Sequence, residues 1–285
     1  MKVCGCNEYH QLGEKSTGKG TSGHECINTL TDSHLDADSL LSFSTYTFHT
    51  VYIKRGGHCF GIGDNRSGKI SGDLPKEVFT TEREIQFKDP KGQPCKFISA
   101  VCGEEYTLYL VSVGNSSNKQ LIYVHKFLDN GKPLFLDLNG HTPTKLFGGS
   151  ETSAAVDQKG GIIIISSSSF ETLKNPLETI NLPDGDRIMS VACLNDRIYA
   201  VSSNGKLFEC LLKNSKRSFN PVFEVETIKF LSVSGTFEHC FAICENGRVF
   251  CKGSNDSGQL GIRQSQRTLS KFTEISFPER EAPFI

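Results

Sequence analysis

Short apolar runs separated by glycine recur along most of this chain. His49 and His239 each open a five-residue apolar run, and a glycine (Gly57, Gly247) follows each histidine by eight residues. Runs of this length, rich in β-branched and aromatic residues and divided by glycine, predict pairs of antiparallel β-strands. Weaker copies of the same strand–turn–strand pattern occupy the middle of the chain, at 106–124, 152–165 and 197–208.

A loop with glycine in the first place and asparagine in the third occurs three times. Its repeat-defining residues are Gly5, Asn7, Gln11, Leu12 and Gly13, then Gly63, Asn65 and Gly68, and finally Gly253, Asn255, Gly258, Gln259, Leu260 and Gly261. Glycine and asparagine tolerate positive φ, and asparagine can hydrogen-bond its own backbone, so the pattern predicts an ordered turn. The apolar residue in the eighth place is predicted to anchor each loop in a core.

The strand pairs and loops repeat at a spacing typical of repeat proteins. The units begin near His49, Tyr106, Ser153, Arg197 and His239, and successive starting points lie 42 to 57 residues apart. Stretches of apolar and small residues precede the later units, at 98–103, 145–149, 189–193 and 231–235. We therefore expect each unit to be one supersecondary element that buries its apolar faces against its neighbours.

Together these features resemble the regulator of chromosome condensation repeat. Residues 231–262 match that repeat almost throughout, 1–13 and 43–74 match well, and 98–212 match in outline. The resemblance implies an all-β fold, a β-propeller in which each repeat supplies one four-stranded blade. We expect about five full blades and a partial N-terminal blade. They would form either an incomplete ring or a ring shortened because the chain is a truncated product.

We predict one propeller domain over residues 1–285, because the repeats run through the whole chain. Within it, 13–40 is predicted to be a polar loop or linker, and 278–285 the start of an unfinished repeat.

Composition narrows the classes of partner. The 31 basic and 32 acidic residues leave a net charge of −1, which argues against direct binding of nucleic acid or of an anionic membrane. The absence of tryptophan argues against the Trp-Asp repeat propellers. The 11 cysteines, an odd number without a secretory leader, favour reduced thiols and a cytoplasmic or nuclear location.

Candidate chemistry is sparse. No arrangement typical of a catalytic site occurs, so we expect no catalytic residue and no cofactor. A zinc site would have to be built from Cys4, Cys6, His10, His24 and Cys26, but it has a single Cys-x-Cys pair, and core thiols are the favoured interpretation. The stretch Gly13–Gly20 resembles a phosphate-binding loop but has glycine where serine or threonine is needed, so a blade-connecting loop is favoured.

Two further features concern recognition and packing. Glu104 and Glu105 precede a first strand and are candidates for a partner-binding rim, with a solvated turn as the alternative. His49 and His239 occupy the same place in their units, which indicates a shared structural role.

The sequence thus favours a module that binds a protein partner through loops at the rim of the propeller. The alternative, implied by the resemblance alone, is guanine-nucleotide exchange on a Ran-type small GTPase. No exchange residue of the family can be assigned to a position in this chain.

Overall fold

The structure is a computed structural model that describes residues 2–13, 18–19, 25–32, 37–114, 119–126, 131–166, 177, 179–183, 185–213, 216–223, 228–262 and 266–275. Over these residues the secondary structure is β-strand, apart from one 3-10 turn at Ala37–Ser39. By its internal contacts the chain divides into two compact units, Met1–Thr179 and Ile180–Ile285.

The first unit opens with a three-stranded sheet and continues with three four-stranded sheets, here called blades. The N-terminal sheet has the strands β1 (Lys2–Cys6), β2 (Gly18–Lys19) and β3 (Glu25–Asp32), in the order β1-β3-β2. Blade 1 comprises β4 (Leu40–Tyr46), β5 (His49–Lys54), β6 (His58–Asp64) and β7 (Val78–Ile85). Blade 2 comprises β8 (Cys95–Cys102), β9 (Tyr106–Val113), β10 (Lys119–His125) and β11 (Leu134–Phe135). Blade 3 comprises β12 (Pro143–Gly148), β13 (Thr152–Asp157), β14 (Ile162–Ser166) and β15 (Thr179–Ile180).

The second unit holds two further blades of the same kind. Blade 4 comprises β16 (Ile188–Cys193), β17 (Arg197–Ser202), β18 (Leu207–Leu211) and β19 (Asn220–Pro221). Blade 5 comprises β20 (Phe230–Thr236), β21 (His239–Cys244), β22 (Val249–Ser254) and β23 (Thr268–Ile275). In every blade the four strands lie side by side in sequence order. The five full blades and the incomplete N-terminal sheet agree with the predicted all-β propeller fold.

The prediction of a loop over 13–40 is wrong for residues 25–32. These residues form β3, which pairs antiparallel with β1 through Gly5↔Ile27 and Cys6↔Cys26. The physical reason is visible in the sequence, since β-branched residues alternate along the segment (Ile27, Thr29, Thr31) and favour a strand even among polar neighbours. Residues 278–285 lie outside the described part of the chain, and the single domain stays a prediction.

Alternate side chains of each second strand point to opposite faces, and the interior blades bury both. Val51 and Ile53 of β5 share a buried cluster with Phe97 and Tyr109 of blade 2. In the second unit, Tyr199 and Val201 of β17 share one with Ala242 of blade 5. Each such side chain contributes about 1.5–3 kcal/mol when fully buried. Most of the apolar surface is therefore buried between neighbouring blades within each unit.

The first strands of blades 1 and 4 each contribute a serine that hydrogen-bonds the first strand of the next blade. The Ser44 hydroxyl oxygen of β4 accepts the Cys102 N–H of β8 at 2.9 Å. In the second unit, Ser190 of β16 accepts the Val233 N–H at 3.2 Å and donates to the Val233 carbonyl at 3.0 Å. Serine thus supplies the hydrogen bonds that link neighbouring sheets.

A β-bulge interrupts the first strand of every blade at the same place, which the sequence pattern did not indicate. The pairing with the second strand shifts at Leu40/Ser42, Phe97/Ser99, Pro143/Lys145, Ile188/Ser190 and Phe230/Ser232. The extra residue is more than half exposed in blades 1, 4 and 5 (Leu41, Met189 and Leu231), whereas Ile98 of blade 2 packs against a buried cluster.

Candidate functional site: the turn rim of the blades

In each blade, the turn between the first and second strands and the loop after the third strand lie at the same edge, which we call the turn rim. The Gly–Asn loops belong to this edge. They follow β1, β6 and β22, and blades 2, 3 and 4 have no copy at the corresponding place.

The asparagine of each loop braces it from inside. Asn65 is fully buried; its side-chain oxygen accepts the N–H groups of Ile70 and Ser71, and its side-chain nitrogen donates to the carbonyls of Ser71 and Pro75. Asn7 and Asn255 are buried in the same way, and each accepts the N–H of the leucine five residues later. Since none of the three has a positive φ, asparagine serves here through its side chain and not through a left-handed backbone.

Left-handed backbone is needed at the sixth place instead. Gly68 and Gly258 have φ of 76°, and His10 adopts 58° at the corresponding position. The first place also requires glycine, because a Cβ on Gly253 or on Gly63 would collide with the backbone of the preceding turn. The eighth residue is the apolar anchor that the sequence suggested, with Ile70 and Leu260 fully buried.

The seventh residue of the loop reaches from one sheet to the next. Gln11 is buried and donates through Nε2 to the Thr47 carbonyl in the first turn of blade 1, at 2.8 Å. Lys69 takes the same place in blade 1 and donates to the Glu104 carbonyl in the first turn of blade 2, at 3.4 Å. Gln259, in blade 5, donates to its own loop at Ser254. Lys69 therefore reaches the next sheet as Gln11 does and adds a positive charge there.

Lys69 is the centre of a charged network. Its side chain is 3% exposed, and its ammonium lies 3.1 Å from Glu105 Oε2 and 3.4 Å from Asp64 Oδ2. Lys126 binds the other oxygen of Glu105, at 2.5 Å. Burial alone would raise the pKa of Glu105, yet hydrogen bonds from Lys126 and Lys69 lower it below its ordinary value. The network therefore keeps its charges and joins three segments of the turn rim.

The structure places the two glutamates of the candidate rim in different surroundings. Glu104 accepts the Ser150 hydroxyl at 2.9 Å, which ties the first turn of blade 2 to that of blade 3. Glu105 belongs to the Lys69 network, and its side chain remains 28% exposed. Neither is a freely solvated turn residue. Sequence analysis missed Lys69 and Lys126, although Lys69 was detectable as the departure from glutamine in the seventh place.

His49 lies beneath the same network. It is fully buried, and its Nε2 lies 2.9 Å from the Thr107 hydroxyl, which itself donates to the Lys69 carbonyl. Because Thr107 has one proton and gives it to Lys69, His49 must be the donor in the other bond. Burial, assisted by the charge of Lys69, lowers the pKa of His49 to about 3. His49 is thus a neutral hydrogen-bond donor, and His239 is a partly buried residue whose pKa is lowered by desolvation.

The cysteines with described side chains are free, and most are buried. Burial raises the pKa of Cys102, Cys193 and Cys240 to about 12, so these thiols are protonated. In the part of the chain that the structure describes, no three His, Cys, Asp or Glu side chains come together as a metal site. The side chains of Cys4, Cys6 and Cys26, and the whole of His24, lie outside it. The described residues also contain no helix long and apolar enough to span a membrane.

Comparison with known proteins gives the same architecture. Residues 230–259 match the sequence model of the Regulator of chromosome condensation (RCC1) repeat. Human WBSCR16 is 16% identical, with a TM-score of 0.71 over 97% of this chain and 77% of that one. Yeast RCC1 (Prp20), in its complex with Kap60, is 14% identical, with a TM-score of 0.72 over 97% and 71%. No curated protein sequence is similar enough to count as a relative.

A second structure of Prp20p from Saccharomyces cerevisiae, studied for its binding to Gsp1p and histones, is also similar. It is 14% identical, with a TM-score of 0.55 over 97% of this chain and 86% of that one. At these identities the likeness concerns the fold, and the protein is a β-propeller. Within this fold, residues 230–259 match one RCC1-type repeat, and the Gly–Asn loop of that repeat occurs at two further places in the chain.

Proposed function

We propose that this protein is an interaction module that binds a protein partner through the turn rim of its blades. The observation that supports this most strongly is the Lys69 network, which fixes the loop 63–71 and the first turn of blade 2 in one arrangement. Buried ion pairs contribute little net stability, but they specify geometry. A rim held in this way is prepared for recognition, because binding does not have to order it first.

The exposed part of this surface carries mixed charge. The side chains of Arg66, Glu105 and Lys126 are 57%, 28% and 25% exposed. Arg66 pairs with Asp64 at 2.9 Å and lies 5.1 Å from the centre of the Tyr9 ring. Charges fixed in alternation favour a partner with a complementary pattern and contribute to specificity more than to affinity. A cytoplasmic or nuclear location remains part of this proposal.

The alternative proposal is guanine-nucleotide exchange on a Ran-type small GTPase. It is supported by the fold, which this chain shares with a propeller studied for its binding to Gsp1p. Exchange of this kind needs no acid–base pair, because the propeller would act by stabilising the nucleotide-free GTPase. We place it second because blades 2, 3 and 4 have lost the Gly–Asn loop, so their rims differ from the repeat pattern.

The experiment compares two double variants with the wild type. Arg66→Ala/Lys126→Ala removes two exposed charges of the turn rim, and Lys91→Ala/Lys159→Ala removes two exposed lysines at the opposite edge of the blades. Each immobilised protein is incubated with cell extract, and the retained proteins are quantified by mass spectrometry. We expect at least one protein that the wild type and the control retain and the rim variant loses by about fivefold or more.

Equal retention by all three proteins, with unchanged thermal unfolding, would overturn the interaction proposal for this rim. Release of a fluorescent guanine nucleotide from a Ran-type GTPase is measured with the same samples. A saturating acceleration by the wild type would establish the exchange alternative, and no acceleration would remove it.

A further inference from the structure

The second unit has a cleft at the turn rim where the first unit has a loop. In the first unit, the loop 63–71 of blade 1 covers its junction with blade 2. The Ile70 carbonyl accepts the Tyr109 hydroxyl at 2.7 Å, and the Ile70 side chain is fully buried. After β18, blade 4 has no Gly–Asn loop, although Phe219 further along the chain is buried. Of the described residues 212–213 and 216–219, only Lys213 lines the corresponding junction with blade 5.

This junction forms a cleft of about 570 Å³, a volume suited to a side chain or a small ligand. The first turn of blade 4 (Leu194–Arg197) forms one wall, and residues of β22 and β23 in blade 5 form the other. Tyr199 and Lys252 lie at its floor, and Glu238 and Asp256 also line it. All of these residues belong to the second unit.

Arg197 in the wall and Lys252 at the floor already have carboxylate partners. Arg197 pairs with Asp196 at 2.6 Å and with Glu209 at 2.8 Å. Lys252 donates to the Tyr199 hydroxyl at 2.6 Å and to Glu209 at 3.2 Å. Although burial opposes it, these hydrogen bonds and the charge of Lys252 lower the pKa of Glu209. Lys213, the remaining basic residue of the walls, acts on Asp196 together with Arg197.

The two other carboxylates of the cleft have no such compensation. Among the described residues, no cation lies within ion-pair distance of Glu238 or Asp256; Asp256 accepts a hydrogen bond from Ser254. Counted with Glu209, the cleft has four carboxylates (Asp196, Glu209, Glu238, Asp256) and three basic side chains (Arg197, Lys213, Lys252), so its net charge is −1. A cation at Glu238 or at Asp256 would gain a partner without breaking an existing pair.

An exposed aromatic residue belongs to the same turn as Glu238. Phe237 precedes Glu238 in the first turn of blade 5, is 50% exposed and has a φ of 55°. A bulky residue rarely adopts this conformation, and here the turn is held by the Asn195 N–H, which donates to the Phe237 carbonyl at 3.0 Å. Backbone held in such a conformation is a marker of functional surfaces. Exposed aromatic residues are frequent anchors of protein interfaces.

We infer that this cleft receives an arginine or lysine side chain of a protein partner, with the cationic end at Glu238 and Asp256 and the aliphatic stem beside Phe237. The inference rests on the proposed function, since it supplies the chemistry of one contact between the module and its partner. It adds a second contact surface, in the other compact unit, to the one around Lys69.

The test uses four short peptides of glycine and serine that differ in one central residue: arginine, lysine, citrulline or glutamate. Binding to the full-length protein is followed by amide chemical shifts in two-dimensional NMR. We expect the arginine and lysine peptides to shift Asn195, Gly253, Ser254 and Leu269. Citrulline keeps the shape of arginine without its charge and should bind at least about fivefold more weakly.

Two variants make the assignment specific. Glu238→Gln/Asp256→Asn should weaken binding of the arginine peptide by about fivefold or more, and Glu245→Gln, at the opposite edge of blade 5, should leave it unchanged. Equal binding of arginine and citrulline, preference for the glutamate peptide, or no effect of the double variant would each overturn the inference. If the peptides fail but the Lys69 rim still retains a partner from extract, the cleft alone is wrong and the proposed function stands. If the peptides bind but no partner depends on the Lys69 rim, the first proposal fails.

Discussion

At the scale of single residues, the turn rim depends on polar groups that are buried and satisfied. Asn65 makes four hydrogen bonds to its own loop, so its replacement by alanine would leave several backbone groups unpaired, at about 1–3 kcal/mol each. Lys69 shows the same rule for a charge, since it is buried only where two carboxylates surround it. These residues stabilise the loop surface on which the functional proposals rest.

His49 makes the stability of the protein dependent on pH. Its pKa is about 3 in the folded state and about 6.5 when unfolded, so the unfolded chain binds the proton first as the pH falls. The stability from neutral His49 is therefore complete above pH 6.5 and is lost between pH 6.5 and 3. We expect a loss of about 2 kcal/mol in the free energy of unfolding from pH 7 to pH 5, measured by urea denaturation.

The variant His49→Gln cannot titrate and should lose less stability over this range, whereas His58→Gln, which changes an exposed histidine, should behave as the wild type does. Charged Lys69 and Asp64 also face His49; although burial opposes it, hydrogen bonds from Arg66 lower the pKa of Asp64 below its ordinary value. A wild-type stability that is constant from pH 7 to pH 5 would contradict the assignment of His49 as neutral.

At the scale of elements, the first strands of blades 1 and 4 link these blades to blades 2 and 5. Ser44 and Ser190 hydrogen-bond the neighbouring blade, and the bulge in β16 leaves Met189 exposed. These contacts explain Ser190 in the small-residue stretch at 189–193.

Ser190→Ala should destabilise the protein by about 1–3 kcal/mol, because it leaves the N–H and the carbonyl of Val233 without their partner. Ser203→Ala, in an exposed turn of the same blade, should change the free energy of unfolding by less than about 0.5 kcal/mol. Both are measured by urea denaturation at pH 7. If the two variants change the free energy of unfolding equally, the hydrogen bonds between Ser190 and Val233 contribute no stability of their own.

At the scale of the whole molecule, similar blades fill two compact units. In repeat architectures each element is stabilised mainly by its neighbours, and cooperativity depends on how strongly neighbouring elements couple. If the chain is a single domain, as the sequence predicts, its two units should unfold together. A denaturation experiment can decide this.

Buried thiols in both units report on that cooperativity. Cys102 lies in the first unit and Cys193 and Cys240 in the second, and all three are almost fully buried. We expect them to resist alkylation at pH 8 in water and to become reactive at one common urea concentration, as followed by mass spectrometry of labelled peptides. Two separate midpoints, one for each unit, would show instead that the chain contains two domains divided near Thr179.

Much of the fold could be predicted because its determinants are local. The alternation around His49 and His239, the glycine turns and the Gly–Asn loops are each encoded within about ten residues, and they led to the propeller. Prediction failed at Glu25–Asp32, where polar composition outweighed the β-branched residues that form β3. Glu104 and Glu105 stay candidates for a partner-binding rim, and the sequence did not indicate that Lys69 and Lys126 pair with Glu105.

The amino-acid sequence by itself determined the strand pairs and the loops, because turn chemistry and side-chain alternation act between near neighbours. The tertiary structure alone decided which charges meet. Lys69 and Glu105 are far apart in the chain and come together only when blade 2 packs on blade 1. The cleft of the second unit likewise forms only where residues of blade 4 meet Lys252 and Asp256 of blade 5.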